Sequence, residues 1–360
     1  MKTYDPQERI SSTDKHSLLR TRLLAGLAIP AHPLALTASR RLDEQRQRAL
    51  SRYYIEAGSG GIAVGVHTTQ FAIRNLDVGL YQPVLELAAE TASEYDTAPI
   101  LIAGILGQSE QALQEATLAH DLGYDALLLS FAGLNHYSED ELIEHCQMIS
   151  EVLPIMGFYL QTAIGGISLS YRFWRRFVEI PNVVAIKIAP FNRYATVDVV
   201  RAVSDSGRAN QIALYTGNDD AILYDLLTPF QFNKHGSGVR IVGGLLGHWA
   251  VWTQTAVKLL EEVQTIVRER ASIPPQVMEV AAQVTDANAA FFDAANAYYG
   301  CIAGLHEVLR RQRLFEGTWC LDTSEALSPG QAEEIDRVYR AYPHLNDDQF
   351  VAEHRDRWLR

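Results

Sequence analysis

The run from Asn182 to Pro190, NVVAIKIAP, decides how the fold is interpreted. Apart from Lys187 it is almost wholly apolar, so a strand formed here must be buried on both faces, as in a parallel sheet covered by helices. Only five of the 31 cationic residues in the chain are lysines. A lysine amine, unlike a guanidinium, can lose its proton and become a nucleophile. The run therefore predicts a buried parallel strand that carries a chemically distinctive cation.

Seven similar apolar runs surround this one, and amphipathic stretches separate them. The predicted strands are 24–30, 61–67, 98–105, 124–130, 154–159, 182–188, 211–216 and 239–243. The predicted helices between them are 43–57, 79–94, 109–121, 139–152, 169–179, 194–206 and 218–227. Eight such units predict an α/β fold of the closed (β/α)8 TIM barrel type rather than an open doubly wound sheet.

After the eighth strand the pattern is helical only. The helical stretches there are about 249–269, 276–298, 301–315 and 329–341. We therefore predict an N-terminal extension (1–23), a catalytic barrel (24–250) and a C-terminal helical region (251–360) packed on the barrel. The residues give no role for the extension or for the tail after about 342.

Charge and composition exclude several classes of function. The formal net charge of -12 argues against a surface for nucleic acid or anionic membranes, which needs clustered cations. No apolar run is long enough to span a membrane, and the polar N-terminus has no signal-peptide core. Three cysteines without metal-ligand spacing indicate a reducing compartment. We expect a cytoplasmic protein with neither a metal nor a cofactor.

The active site of a TIM barrel lies at the carboxyl ends of its strands. Lys187 is at the end of strand six, where burial lowers the pKa of its amine and allows attack on a ketone to give a Schiff base. Tyr159 ends the neighbouring strand and could relay protons. Thr68 and Thr69 follow strand two and offer hydroxyl and backbone N–H groups to a carboxylate or a proton relay. Each residue alone could equally be structural.

Other strand ends supply candidate substrate-binding residues. They are His67, Gln161, Gly217, Asn218, Gly243 and Gly244. The paired glycines after strand eight lie where many barrels bind phosphate, although a tight turn explains them as well. The histidines near the strand ends show no metal-ligand spacing.

Together these segments resemble the dihydrodipicolinate synthase / N-acetylneuraminate lyase family of class I aldolases. The similarity covers roughly 24–250. EIPNVVAIKIAP resembles the family's Schiff-base segment with Lys187 as its lysine, and LPIMGFY resembles the strand of the catalytic tyrosine, with Tyr159 28 residues before the lysine. AGSGGIAVGVHTTQF resembles the strand before the family's threonine pair. The resemblance assigns Thr68 and Thr69 to the substrate carboxylate and the proton relay, and LYTGNDD resembles the segment after the lysine strand.

The chain also departs from the family pattern. Gln70 and Phe71 replace the Gly-Glu that usually follows the threonine pair, and the stretch 160–166 lacks the arginine that holds the second substrate's carboxylate in dihydrodipicolinate synthases. The second family tyrosine is not aligned, and Tyr137 could replace it only through a shifted loop. The resemblance therefore implies a retained Schiff-base core in a rebuilt pocket.

The favoured hypothesis is a class I aldolase-type lyase or synthase, other than dihydrodipicolinate synthase. It would join a 2-oxo acid such as pyruvate to Lys187 and make or break a carbon–carbon bond. The alternatives are a sugar-acid dehydratase using the same imine, an inactive barrel that binds a small 2-oxo acid, and a metal- or phosphate-dependent enzyme. The resemblance further implies a homo-oligomer, a dimer or a tetramer.

Overall fold

Eight parallel strands close into a barrel in the computed structural model, which describes residues 12–232 and 238–360. The strands are β1 (Ala28–Pro30), β2 (Gly61–Val64), β3 (Ile100–Ile105), β4 (Ala126–Ser130), β5 (Ile155–Leu160), β6 (Val183–Ala189), β7 (Ala213–Thr216) and β8 (Ile241–Leu246). Each pairs with its sequence neighbours, and β8 pairs with β1. The last seam, between β1 and β2, is closed by hydrogen bonds from Gly60 to Ala28 and from His32 to Ala63.

The strand pleat divides the side chains into two separate cores. Inward-facing residues such as Ile102, Leu128 and Met156 fill the barrel, and outward-facing residues such as Leu127 and Ile186 pack under the helices. Successive residues of a regular strand point to opposite faces and so belong to different cores. Val184 and Ala185 both face the interior, at a register shift between β5 and β6. Every residue of β6 is buried, which confirms that this strand is covered on both sides.

Helices surround the barrel and extend beyond it. Seven follow strands within the barrel: α2 (Glu44–Glu56), α3 (Tyr81–Ala92), α4 (Ser109–Asp121), α5 (Glu139–Ser150), α6 (Tyr171–Phe177), α7 (Arg193–Ser206) and α8 (Ile222–Leu227). The others are α1 (Ser12–Leu24), α9 (Thr253–Glu269), α10 (Pro275–Phe291), α11 (Cys301–Arg311), α12 (Gln331–Ala341) and α13 (Asp348–Trp358). None of these helices in the described residues combines the length and apolar character needed to cross a bilayer.

Local signals set the ends of several of these helices. At the start of α5, the Ser138 hydroxyl accepts from the Glu141 N–H at 3.3 Å, and the Glu141 carboxylate accepts from the Ser138 N–H at 2.7 Å. This reciprocal pair satisfies amide donors that have no partner inside the helix. Helix α7 begins after Asn192, whose side chain accepts from the Ala195 N–H, and it ends at Gly207 in the left-handed conformation.

Helix α1 closes the amino-terminal end of the barrel. Leu19 and Leu23 insert into the interior core, and Arg20 donates hydrogen bonds to the carbonyl oxygens of Val183 and Gln211 at the starts of two strands. Arginine suits this position because its planar fork can reach several carbonyl groups at once. Helix α1 does not cover the opposite end of the barrel, where the strands end and where a functional site can form.

The predicted barrel is confirmed, with differences at the element boundaries. Strand β1 begins at Ala28 instead of residue 24, because residues up to Leu24 continue helix α1. This helix occupies part of the predicted extension 1–23, and residues 1–11 of that extension lie outside the described part. Helix α13 was not predicted, since its apolar positions are few, yet Val351 and Trp358 are fully buried.

Helix α1 allows a matched test of how much the barrel plug contributes to stability. Leu23 is fully buried, whereas Leu18 on the same helix is 52% exposed. We expect Leu23→Ala to lower the free energy of unfolding by about 2–5 kcal/mol, because it leaves a cavity in the interior core. Leu18→Ala should change it by less than about 0.5 kcal/mol. Denaturant titration measures both, and equal effects would show that α1 does not plug the barrel.

Candidate active site

A pocket opens at the carboxyl ends of the strands. Its walls come from the ends of β2, β5, β6, β7 and β8, and from residues beyond α10. The sequence-predicted site residues that line it are His67, Thr68, Gln161, Lys187 and Gly217. The barrel therefore brings together half of the predicted set, drawn from four different strand ends.

Lys187 points into this pocket from β6 and is only 7% exposed. Its amine lies 4.2 Å from the centre of the Phe158 ring, which faces it from the neighbouring position on β5. The lysine stem runs across Gly217, where an added Cβ would lie 2.7 Å from the Lys187 Cε and 2.8 Å from the Ala189 Cβ. Glycine at 217 thus makes room for the extended lysine side chain.

The carboxyl group of Asp219 shares the pocket with the amine. Burial lowers the pKa of Lys187 below its ordinary value, and the negative charge of Asp219 opposes part of that shift. Burial raises the pKa of Asp219, against the effects of a hydrogen bond from the His248 N–H at 2.9 Å and of the Lys187 charge. The two groups lie more than 4 Å apart, since they form no ion pair. The lysine amine and the aspartate carboxyl group therefore face the same pocket, and burial disfavours the charged form of each.

The turn after β2 holds the two threonines differently. Thr68 lines the pocket and donates to the Ala31 carbonyl at 2.8 Å. Thr69 is fully buried beneath it, donates to the His32 carbonyl at 2.6 Å and accepts from the Gly65 N–H at 3.1 Å. Thr69 therefore fixes the turn and does not face a ligand, which corrects its prediction as a substrate-binding residue.

Tyr159 does not stand beside the amine, contrary to the prediction. Its ring packs on Trp174 outside the barrel, with centroids 5.3 Å apart, and its hydroxyl donates to the Leu169 carbonyl at 3.2 Å. The reason is the strand pleat: Phe158 and Leu160 point inward, so Tyr159 must point outward. The pocket presents a phenyl ring at the place where a phenol was predicted.

Three other predicted ligand residues have structural positions outside the pocket. The Asn218 side chain accepts from the Phe191 N–H and donates to the Asp225 carboxylate, which joins the loop after β7 to its surroundings. A Cβ on Gly243 would lie 2.6 Å from the Leu27 backbone, and one on Gly244 would lie 2.7 Å from the Trp249 ring. Close packing accounts for both glycines, and neither faces the pocket.

Several pocket residues were missed by sequence reasoning. They are Phe158, Phe191, Asp219, Gly247, Phe292, Tyr298, Cys301, Ile302 and Leu305, among others. Asp219 belongs to the LYTGNDD segment, so its acidic character was a usable signal. The residues from 292 onward follow the barrel in sequence but fold back over the carboxyl ends of its strands. No local sequence pattern predicts that they contact the pocket.

The remaining titratable groups of the pocket are largely uncharged. Burial, aided by the positive charge of Lys187, lowers the pKa of His67 to about 4. Burial raises the pKa of the Cys301 thiol to about 12, so it is not a thiolate at neutral pH. In the described residues, no cluster of three or more His, Cys, Asp or Glu side chains could hold a metal ion. Lys187 and Asp219 therefore dominate the electrostatics of the site.

Sequence comparison connects this chain to a known family. A model of the Dihydrodipicolinate synthetase family matches residues 28–231. The 4-hydroxy-tetrahydrodipicolinate synthase of Marinobacter nauticus is 32% identical over 130 residues, which cover 35% of this chain and 42% of that protein. The same enzyme of Desulforudis audaxviator is 29% identical over 202 residues, covering 55% and 64%. The chain thus matches less than two thirds of the length of these relatives.

Comparison with solved structures supports the same fold. Dihydrodipicolinate synthase from Oceanobacillus iheyensis aligns with a TM-score of 0.72 at 17% identity, covering 91% of this chain and 99% of that one. N-acetylneuraminate lyase from Fusobacterium nucleatum, complexed with pyruvate, aligns with a TM-score of 0.69 at 16% identity, covering 89% and 98%. At these identities the similarity establishes the barrel architecture alone.

The tight contact at Gly217 predicts the effect of adding one methyl group. We expect Gly217→Ala to lower the free energy of unfolding by about 1–3 kcal/mol, because the Ala189 Cβ is fixed by β6 and cannot move away. Gly238→Ala is the control, since its added Cβ would meet only the Phe230 carbonyl at 3.4 Å. Denaturant titration compares them, and a neutral Gly217→Ala would contradict the close approach of this residue to the Ala189 Cβ.

Proposed function

The chain belongs to the Dihydrodipicolinate synthetase family, and from that premise we propose that it is a class I aldolase-type lyase acting on a 2-oxo acid through an imine at Lys187. The observation that carries the proposal is the position of the amine, which is buried at the carboxyl ends of the strands, where burial disfavours its charged form. A neutral amine is the species that attacks a ketone.

The reaction would begin when the neutral amine of Lys187 attacks the C2 carbonyl of the 2-oxo acid. The resulting carbinolamine loses water to give a protonated imine, which draws electrons from C3 and allows a proton to leave that carbon. The enamine so formed attacks the carbonyl carbon of an aldehyde, making a carbon–carbon bond, and the aldehyde oxygen takes up a proton. Water then hydrolyses the imine, and the reverse sequence cleaves the same bond.

The proton transfers require a group in place of the phenol, because the phenyl ring of Phe158 has no exchangeable proton. Asp219 has the required properties: it shares the pocket with Lys187, and burial raises its pKa toward neutrality. A carboxyl group in that condition can accept the amine proton and return it to the departing hydroxyl. We assign this acid–base role to Asp219 in place of Tyr159.

The carboxylate of the 2-oxo acid needs hydrogen-bond donors within the pocket. An N–H of the uncharged His67 ring and the Gln161 side-chain amide are the polar donors available in the lining, whereas the Thr68 hydroxyl already donates to the Ala31 carbonyl. Neutral donors suit this task because Lys187 must remain free of a competing positive neighbour. His67 and Gln161 would orient the ketone toward the amine.

Trapping tests the imine directly. We expect borohydride reduction in the presence of pyruvate to add the reduced pyruvyl group to Lys187, identified by peptide mass spectrometry. Lys187→Arg should abolish the adduct, because a guanidinium keeps the charge without a nucleophilic nitrogen. Lys258→Arg, the same change on exposed Lys258 of α9, should leave it intact. Absence of an adduct with every 2-oxo acid tested, together with pyruvate binding that survives Lys187→Arg, would support an inactive binding protein instead.

The charge of Asp219 predicts a pH effect of known sign. Exchange of the pyruvate methyl protons with deuterated water, followed by NMR, reports enamine formation without any aldehyde. The exchange rate should rise with pH, with a midpoint below the ordinary lysine pKa, because burial lowers the pKa of Lys187. Asp219→Asn should move the midpoint to lower pH, since it removes a charge that raises this pKa, and should lower the maximal rate about a hundredfold.

Asp121→Asn serves as the control, because this exposed carboxylate at the end of α4 does not line the pocket. Its exchange profile should stay close to that of the unaltered protein. An unchanged midpoint and maximal rate in Asp219→Asn would show that the carboxyl group neither faces the amine nor transfers protons. Loss of exchange in Lys187→Arg, with a normal far-ultraviolet circular dichroism spectrum, would separate chemistry from misfolding.

A further inference from the structure

The loop 217–221, which joins β7 to α8 and carries Asp219, is fixed to the barrel at its start. The Thr216 hydroxyl and the Asn218 side-chain amide both donate to the buried carboxylate of Asp225, at 2.7 and 2.9 Å. Neither bond involves Asp219. The position of the Asp219 carboxyl group therefore depends on contacts from other elements.

Two side chains of α10 hold the middle of this loop. The Asn288 amide donates to the Asp219 carbonyl at 2.6 Å, and the Thr285 hydroxyl donates to the Asp220 carbonyl at 2.9 Å. Positions three residues apart lie on one face of a helix, so both side chains can reach the loop together. Among the described residues, neither carbonyl accepts a hydrogen bond from a backbone N–H. Helix α10 therefore supplies bonds that the loop does not make within itself.

Of these two contacts, the one from Asn288 is the more specific. Asn288 is only 3% exposed, and a carbonyl oxygen can only accept, so its NH2 group must face Asp219. Thr285 has a single hydroxyl proton, which it shares with the Ala281 carbonyl of its own helix at 3.1 Å. Loss of the Asn288 amide would leave a buried carbonyl without its partner, which is costly enough to let the loop move.

The side chain of Asp219 is held by a segment that also packs on α10. The His248 N–H donates to the Asp219 carboxylate at 2.9 Å. The His248 ring stacks on Phe291, with ring centroids 6.1 Å apart and planes 15° from parallel. Phe291 lies three positions after Asn288 on the same helix. Helix α10 thus supports both the backbone of Asp219 and the residue that binds its carboxylate.

The groups around the pair formed by Lys187 and Asp219 determine how it titrates. The other titratable groups that face the pair are His67, Asp220, His248, Tyr298 and Cys301. Burial lowers the pKa of both histidine rings and raises the pKa of the phenol and the thiol, so these four are uncharged at neutral pH. Asp219 is the group whose negative charge raises the pKa of Lys187.

We propose that Asn288, assisted by Thr285, is a positioning residue that keeps the carboxyl group of Asp219 beside the amine of Lys187. The proposal rests on the proposed function in taking Asp219 as the acid–base group. Without the Asn288 amide, the Asp219 carbonyl would lose its bond and the loop could turn its carboxyl group away from the amine. Helix α10 would then serve the chemistry of the barrel although it follows the barrel in sequence.

The pKa of Lys187 tests this role without any substrate. Reaction of the full-length protein with trace acetic anhydride across a pH series, followed by peptide mass spectrometry, measures the pKa of this amine. Asn288→Ala should lower it, as Asp219→Asn does, because the carboxylate that raises it moves away. Val284→Ala is the control: it truncates another buried side chain of α10, leaves the amide in place and should not change this pKa.

Exchange of the pyruvate methyl protons with deuterated water gives the second measurement. Asn288→Ala should lower the maximal exchange rate about tenfold and leave the half-saturating pyruvate concentration nearly unchanged, because the amide holds Asp219 and not the substrate. In protein that already carries Asp219→Asn, the same substitution should lower neither the rate nor the Lys187 pKa further. A residue that acts through Asp219 has nothing left to position there.

The two measurements fail separately. No exchange in the unaltered protein, with a Lys187 pKa that depends on Asn288 only while Asp219 is present, would sink the imine and support the positioning role. Equal effects of Asn288→Ala and Val284→Ala, or effects that add to those of Asp219→Asn, would overturn it. If Asn288→Ala does not fold, Thr285→Val removes the second donor with little change of shape. It should lower the Lys187 pKa to a smaller extent, and no shift would count against the proposal.

Discussion

Closure of the parallel sheet into a barrel is the constraint on which the rest of the structure depends. Once eight strands close, each inward side chain must fit a fixed interior, and each outward one must fit under a helix. A side chain of a regular strand faces either the interior or the helices, because adjacent residues point in opposite directions. Lys187 faces the mouth and Tyr159 the helices for this single reason. The chemistry of the site is therefore a consequence of strand register.

The closed interior also controls the electrostatics of the site. Water is largely excluded from around Lys187 and Asp219, so burial disfavours the charged form of each group. The attraction between the two opposite charges favours the charged form of each group and so opposes the effect of burial. The absence of a side chain at Gly217 leaves room for the lysine stem, which any added side chain would displace. Packing and acidity are thus set by the same few contacts at the ends of β6 and β7.

The C-terminal helices complete a pocket that the barrel alone leaves open. Residues between α10 and α11 fold over the strand ends, and Phe292, Tyr298 and Ile302 become walls of the cavity. Asp293 anchors this segment by accepting hydrogen bonds from the Gly300 N–H at 3.0 Å and from the Ser328 hydroxyl. The outer wall of the pocket therefore comes from a region separate in sequence from the strand ends that carry Lys187 and Asp219. Because the two regions are separate in sequence, the outer wall can change while the strand ends stay the same.

The sequence by itself determined the eight strands, the closed barrel and the exceptional place of Lys187, because apolar runs, helical periodicity and a lone buried cation are local signals. The same apolar character hid the period-two alternation that would have distinguished Phe158 from Tyr159. Only the tertiary structure decided which of them faces the amine, since inward and outward directions exist only after the strands pair. It also decided that Asp219 and the residues after 291 join the site, because contacts across so much chain depend on packing and not on any nearby pattern.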